Sequence, residues 1–195
     1  MVHSIEELSR IFKNFIDMPY KTSEDIKKQE EIRIALDKAL NDETIELVKE
    51  LNLIGLNINS IWDLVNTKKS YPEAIPILIR HLSKDYSDKN KEGIIRALAV
   101  KEAKGKVTDI LIELYNKIPK EKKILRWTIG NTIYTVITKG EVESIIPIVQ
   151  DETNGTSRQM FVLALGKFKN DKIINILKEH SKESDIALQV TKALN

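Results

Sequence analysis

The chain has 195 residues, enough to bury a sizeable core as one domain or one continuous repeat array. Charged residues make up 31% and aromatic residues 6%, a balance that with few glycines favours helices over sheets. Lys and Arg (31) nearly cancel Asp and Glu (29), which removes any bulk electrostatic case for nucleic acid or membrane. The absence of cysteine removes disulfides, thiolate metal sites and cysteine nucleophiles.

The first residues, Met1 to Leu8, lack the basic and apolar segments of a signal peptide, and the longest apolar runs fall far short of a membrane span. The expectation is a soluble, cytoplasmic protein. Ile5, Leu8, Phe12 and Phe15 form one helical stripe. Thr22-Ser23-Glu24-Asp25 then gives a capping signal for a long helix reaching Leu40.

Beyond this region the chain is read as pairs of helices. The first members are predicted over 72–84, 106–117, 141–149 and 171–181. Their partners are predicted over 89–102, 121–138, 157–168 and 185–194. Pro72 and Pro119 sit at or before helix starts, and Gly105, Gly140 and Gly155 fall between helices. The clearest unit runs from Arg158 through Ala164-Leu165-Gly166 to Asp171. It recurs 32 residues earlier from Arg126, and a further 35 residues earlier from Lys91. A copy at Arg33, Leu36, Ala39 and Leu40 fits the same frame, with a degenerate one around Trp62 and Val65. The organisation expected is a degenerate helical region over 1–70 followed by regular repeats over 71–195. One helix pair cannot bury its apolar face alone, whereas stacked pairs share a continuous core.

Pro72-Glu73-Ala74-Ile75-Pro76-Ile77-Leu78 and Arg158…Ala164-Leu165-Gly166…Asp171 resemble the first helix, second helix and turn of HEAT repeats. The stretch from Tyr71 to Leu194 is similar to small bacterial HEAT-repeat proteins. This similarity rests on Lys91–Leu98, Arg126-Trp127-Thr128-Ile129-Gly130-Asn131 and Gly155–Met160. The resemblance implies an all-α, right-handed α-α superhelix of about five to six helix pairs. It also implies a solenoid that binds macromolecules, most often proteins, and brings no shared catalytic residues.

On the helix holding Trp127, residues Leu125, Ile129, Thr132, Ile133 and Val136 share one arc, and Trp127, Asn131 and Tyr134 lie on the opposite one. The repeat frame adds Glu92 and Arg96 from the pair before, and Gln159 and Leu163 from the pair after. Arg126, Arg158 and Lys91 form a second column at the helix starts. The expected partner-binding surface is therefore Glu92, Arg96, Arg126, Trp127, Asn131, Tyr134, Arg158 and Gln159, on the concave face. Competing structural readings are that Arg126 and Arg158 pair with acids such as Asp88 or Asp151, that neighbouring helices cover Trp127, and that Glu92 and Arg96 form an ordinary helix pair.

His3, His81 and His180 match no metal spacing, and no phosphate loop or nucleophile elbow occurs; His81 is expected at the surface or in packing. No cofactor, no metal and no small-molecule substrate are expected, and no enzyme activity. The partner expected is another protein, with nucleic acid as the alternative. That alternative rests on a likeness to alkylpurine DNA glycosylases built from HEAT-like repeats. Trp127, Asn131 and Arg158 are arranged similarly to that family's Trp, Asp and Arg, but Asn131 stands where it has a carboxylate. The basic residues for this reading are Arg126, Arg158, Lys120, Lys122 and Lys123.

Overall fold

The computed structural model describes residues 3–195, which contain twelve α-helices and no strand. They are α1 Ile5–Ile16, α2 Ser23–Glu43, α3 Ile45–Leu53, α4 Ile61–Asn66, α5 Ala74–Leu82 and α6 Asp88–Ala97. The second half continues with α7 Thr108–Lys117, α8 Lys123–Val136, α9 Val142–Gln150, α10 Gln159–Gly166, α11 Asp171–Glu179 and α12 Ala187–Leu194. No helix among the described residues is long and apolar enough to cross a membrane.

From α3 onward the helices form five consecutive pairs. The second members, α4, α6, α8, α10 and α12, pack each on the next, while α3 meets α5 and α7 meets α9 among the first members. One apolar cluster runs through all five pairs, from Leu47 and Leu51 to Val190 and Ala193. The segment around Trp62 and Val65 is therefore a genuine second member, cut to six residues, started by the Ser60–Asp63 capping box and buried through Ile61 and Leu64. Gly105 (φ +70°) and Gly155 (φ +53°) take the left-handed conformation that lets the chain turn sharply between helices.

Predicted helix limits shift inward in most cases. The helix expected to reach residue 102 stops at Ala97, whose carbonyl accepts a hydrogen bond from the buried Tyr71 hydroxyl at 2.8 Å. Capping by a side chain from the preceding turn substitutes for another helical turn.

The expected repeat copy at Arg33 is not one. It lies on α2, which begins with a Thr22–Asp25 capping box, packs mainly on α1 and buries no residue fully. Arg33 is exposed and pairs with Glu30 and Asp37 on its own helix. Spacing matched the frame, and Leu36, Ala39 and Leu40 are half-buried, but α2 packs mainly on α1 and not into the run of second members. The α1–α2 hairpin is instead tied down at its C-terminal end. Glu43 accepts hydrogen bonds from the Ser87 backbone (2.8 Å) and hydroxyl (2.7 Å) and from Asn90 Nδ2 (2.6 Å).

Next to this joint, His81 is fully buried, within packing rather than at the surface. Its Nδ1 shares a 2.6 Å hydrogen bond with the Tyr86 hydroxyl, and its Nε2 lies 3.3 Å from Glu50. Burial pulls its pKa below the ordinary value, and Lys84 and Arg80 act the same way against the opposing pull of Glu50. On lowering the pH, the unfolded chain therefore takes up this proton first. The stability His81 contributes is present above about pH 6.5 and is lost as pH falls from there towards its folded-state pKa. Urea midpoints at pH 7.5 and 5.5 are expected to differ, and the difference to shrink in His81→Gln. The same pH dependence in both proteins would show that His81 does not carry it.

Candidate functional site

The face of the second-series helices that points away from the core is built by α6, α8 and α10. On α8, Leu125, Ile129, Thr132, Ile133 and Val136 are buried, and Thr132 Oγ1 donates to Ile95 O at 3.0 Å, joining α8 to α6. That arc fixes the opposite one. Trp127, Asn131 and Tyr134 are half-buried along it, and Thr135 is exposed. Tyr134 rests against the core cluster, whereas Trp127 does not join it. A half-buried indole outside the core offers the amphipathic contact area that is enriched at interfaces.

The neighbouring helices add charge. On α6, Glu92 and Arg96 form an ion pair at 2.8 Å, and Lys89 lies 3.7 Å from Glu92 and 4.2 Å above the Trp62 ring. On α10, Gln159 Nε2 donates to Asp185 O at 2.9 Å, which anchors it toward the last pair. Lys167, just after α10, places its amine 4.7 Å from the Tyr134 ring centroid and donates to Tyr134 O at 2.6 Å. Helical spacing could not show the Lys89–Trp62 and Lys167–Tyr134 stacks, because each joins different pairs. The only trace of the second in the sequence is a separation of one repeat length.

Arg126 and Arg158 do not belong to this surface. They are 4% and 1% exposed. Arg126 Nη1 donates to Ile118 O at 2.9 Å and Tyr115 O at 3.3 Å, its guanidinium sits 3.8 Å from the Tyr115 ring, and Nη2 reaches Asn154. Arg158 Nη1 donates to Val149 O at 2.8 Å, and Nη2 pairs with Glu183. Each arginine thus closes the C-terminal carbonyls of the first helix in its own pair and ties the next pair's loop to it. The acids expected as partners are engaged elsewhere, Asp88 with Lys122 at 2.7 Å and Asp151 with Lys120 at 3.3 Å. The Arg158 guanidinium is therefore committed to Val149 O, Gly155 O and Glu183 inside the stack.

The α1 helix borders the site without closing over it. Ser9 and Lys13 face Lys89, Glu92, Lys123 and Ile124 across an open cleft of about 850 Å³. No group of three His, Asp or Glu side chains able to hold a metal ion occurs among the described residues. The chain matches no family model, no curated protein and no solved structure.

Proposed function

We propose that the chain is a HEAT-like solenoid, a right-handed superhelix of five helix pairs preceded by a helical hairpin, and that it serves as a non-enzymatic protein-binding module. The concave face of this superhelix is the open face of α6, α8 and α10. The successive packing of second-series helices supports the architecture, since that packing places equivalent residues of each pair side by side. The observation that carries the function is Trp127. It is a large aromatic outside the core, on the same arc of α8 as Asn131 and Tyr134, and the Glu92–Arg96 pair lies on the adjoining α6. An aromatic centre with a polar surround is the composition of a protein-binding hot spot.

Nucleic acid gripped through Arg126 and Arg158 finds no support on this face, because both guanidinium groups are internal. The test places a photo-crosslinking amino acid at Asn131 and, as a control, at the exposed Lys117 on α7. A partner is expected to crosslink at 131 and not at 117, and to be lost when Trp127→Ala is added. Equal crosslinking at both positions, or no effect of Trp127→Ala, would reject this face as the binding surface.

A further inference from the structure

The two rims of the stack differ in how their lysines are used. On the rim formed by the turns within pairs, Lys84 pairs with Glu46 (2.6 Å), Lys120 with Asp151 (3.3 Å) and Lys122 with Asp88 (2.7 Å). Each of these bridges joins two different pairs. Their charges are cancelled locally.

The rim formed by the turns between pairs is different. The α4–α5 turn carries Lys68 and Lys69, the α6–α7 turn Lys101, Lys104 and Lys106, and the α8–α9 turn Lys139, all exposed. Among the described residues none of these six ammonium groups makes an ion pair or a side-chain hydrogen bond. The three turns are neighbours in space. Ser70 donates to Glu102, joining the first to the second. Gly105 N donates to Val136 O at 3.2 Å, and the Gly105 backbone lies against Thr138, which brings Lys104 and Lys106 beside Lys139. At about 8–10 Å per helix layer, the row spans roughly 20 Å. Lys167 continues it. Burial, with the nearby Lys104 charge adding, holds the Lys167 amine below its ordinary pKa.

The same turns carry three carboxylates, Glu73, Glu102 and Glu141, against the six lysines, so the row keeps a net positive charge but not the full six. Glu102 accepts from Ser70, which with the charges of Lys101 and Lys106 holds its pKa below the ordinary value, and Glu141 accepts from the Thr138 backbone at 2.7 Å and hydroxyl at 2.6 Å. Just beyond the turns, Glu143 pairs with Lys172, and Asp109 is exposed.

We propose that this lysine rim binds the phosphodiester backbone of a nucleic acid without reading its sequence, a function separate from the protein-binding face. Phosphates need only closely spaced cations, and lysine is a point charge that contacts them without a fixed fork. One feature argues for a nucleic acid over a protein surface or a membrane. No large apolar side chain is exposed in these turns, so the rim offers neither an anchor for a protein interface nor a wedge for a membrane.

The experiment is fluorescence anisotropy of labelled 30-mers of mixed sequence, single-stranded and duplex, DNA and RNA, at 50 and 200 mM salt. Wild type is compared with Lys101→Gln/Lys104→Gln/Lys139→Gln, with Lys68→Gln/Lys69→Gln, and with the opposite-rim control Lys120→Gln/Lys122→Gln. Circular dichroism confirms that each variant is folded. Binding of at least one of the four 30-mers is expected at 50 mM salt, to weaken tenfold or more at 200 mM, and to fall by about tenfold or more in the triple variant. The double variant at 68 and 69 should move the same way, and the control should match wild type. Absence of binding at 50 mM salt, or equal loss in the control, would overturn the proposal. So would equal affinity for polyglutamate or for phosphatidylserine vesicles. The crosslinking partner at position 131 should be unaffected by the triple variant, which keeps failure of this inference distinct from failure of the protein-binding reading.

Discussion

Arg158→Ala is expected to lower the free energy of unfolding by about 3 kcal/mol, the largest effect of any single polar side chain in the protein. The side chain is 1% exposed and donates to three acceptors, the Val149 carbonyl, the Gly155 carbonyl at 3.3 Å and the Glu183 carboxylate. Truncation leaves the Val149 carbonyl at the end of α9 without its partner and strips Glu183 of its buried cation. Removing one member of a buried pair costs about 3–5 kcal/mol, and the lower end applies here because Glu183 is 21% exposed and water reaches it. Glu183 also keeps His180, which bonds its other oxygen. Arg126→Ala should cost less, about 2 kcal/mol, because its loop partner is the neutral Asn154 and its Nε already lacks a hydrogen bond. Arg158→Lys should recover only part of the loss, since one ammonium cannot reach the helix end and the next pair's loop as a fork does. Arg33→Ala, at the position that shares the sequence frame but not the environment, should leave the urea midpoint unchanged. Equal midpoints for Arg158→Ala and wild type would show that these arginines do not hold the pairs together.

The contrast between Arg33 and Arg158 marks how far the sequence could be read. Helical periodicity identified α7 to α12 and most of their turns, because a buried face imposes its spacing on every helix that carries one. It also gave the correct arc for Trp127, Asn131 and Tyr134, since a wheel separates core from non-core faces. Depth was not legible. Arg126 and Arg158 begin their helices in a column that looks solvent-facing, and only the ends of α7 and α9, with the loops of the following pairs, turn that column inward. Periodicity over-counted at Arg33, where the pattern is present but α2 packs mainly on α1 and buries no residue fully. It under-counted at Trp62, because six residues hold less than two turns of pattern. The lysine rim was invisible for a related reason. Its basic residues are spread over three separate turns, and only the contacts between those turns bring them together.

A second large effect is expected where α8 and α10 touch. Phe161 is fully buried, edge-to-face with Tyr115 at 5.0 Å and 71°, and lies directly over Gly130 of α8. Phe161→Ala should therefore cost about 3–5 kcal/mol through lost burial and the cavity left behind. Gly130→Ala tests the same contact from the other side. In an open helix this change would stabilise by about 1 kcal/mol. Here the new methyl would stand 2.9 Å from Phe161 Cε2, 3.1 Å from Cδ2 and 3.2 Å from Met160 Cβ. The ring cannot swing aside because Tyr115 holds its edge, so overpacking of about 1–3 kcal/mol should outweigh the helix-propensity gain. Phe161→Leu makes room for that methyl. The double variant Gly130→Ala/Phe161→Leu should then be more stable than the two single effects predict, by about 1 kcal/mol in a urea double-mutant cycle. Additivity within about 0.3 kcal/mol would mean that α8 and α10 do not meet at this glycine. The same spacing sets the reach of Lys167, beyond the end of α10, to the Tyr134 ring of α8. Gly130→Ala should for that reason also weaken crosslinking at position 131, although the added methyl lies on the α10-facing side of α8, among core side chains.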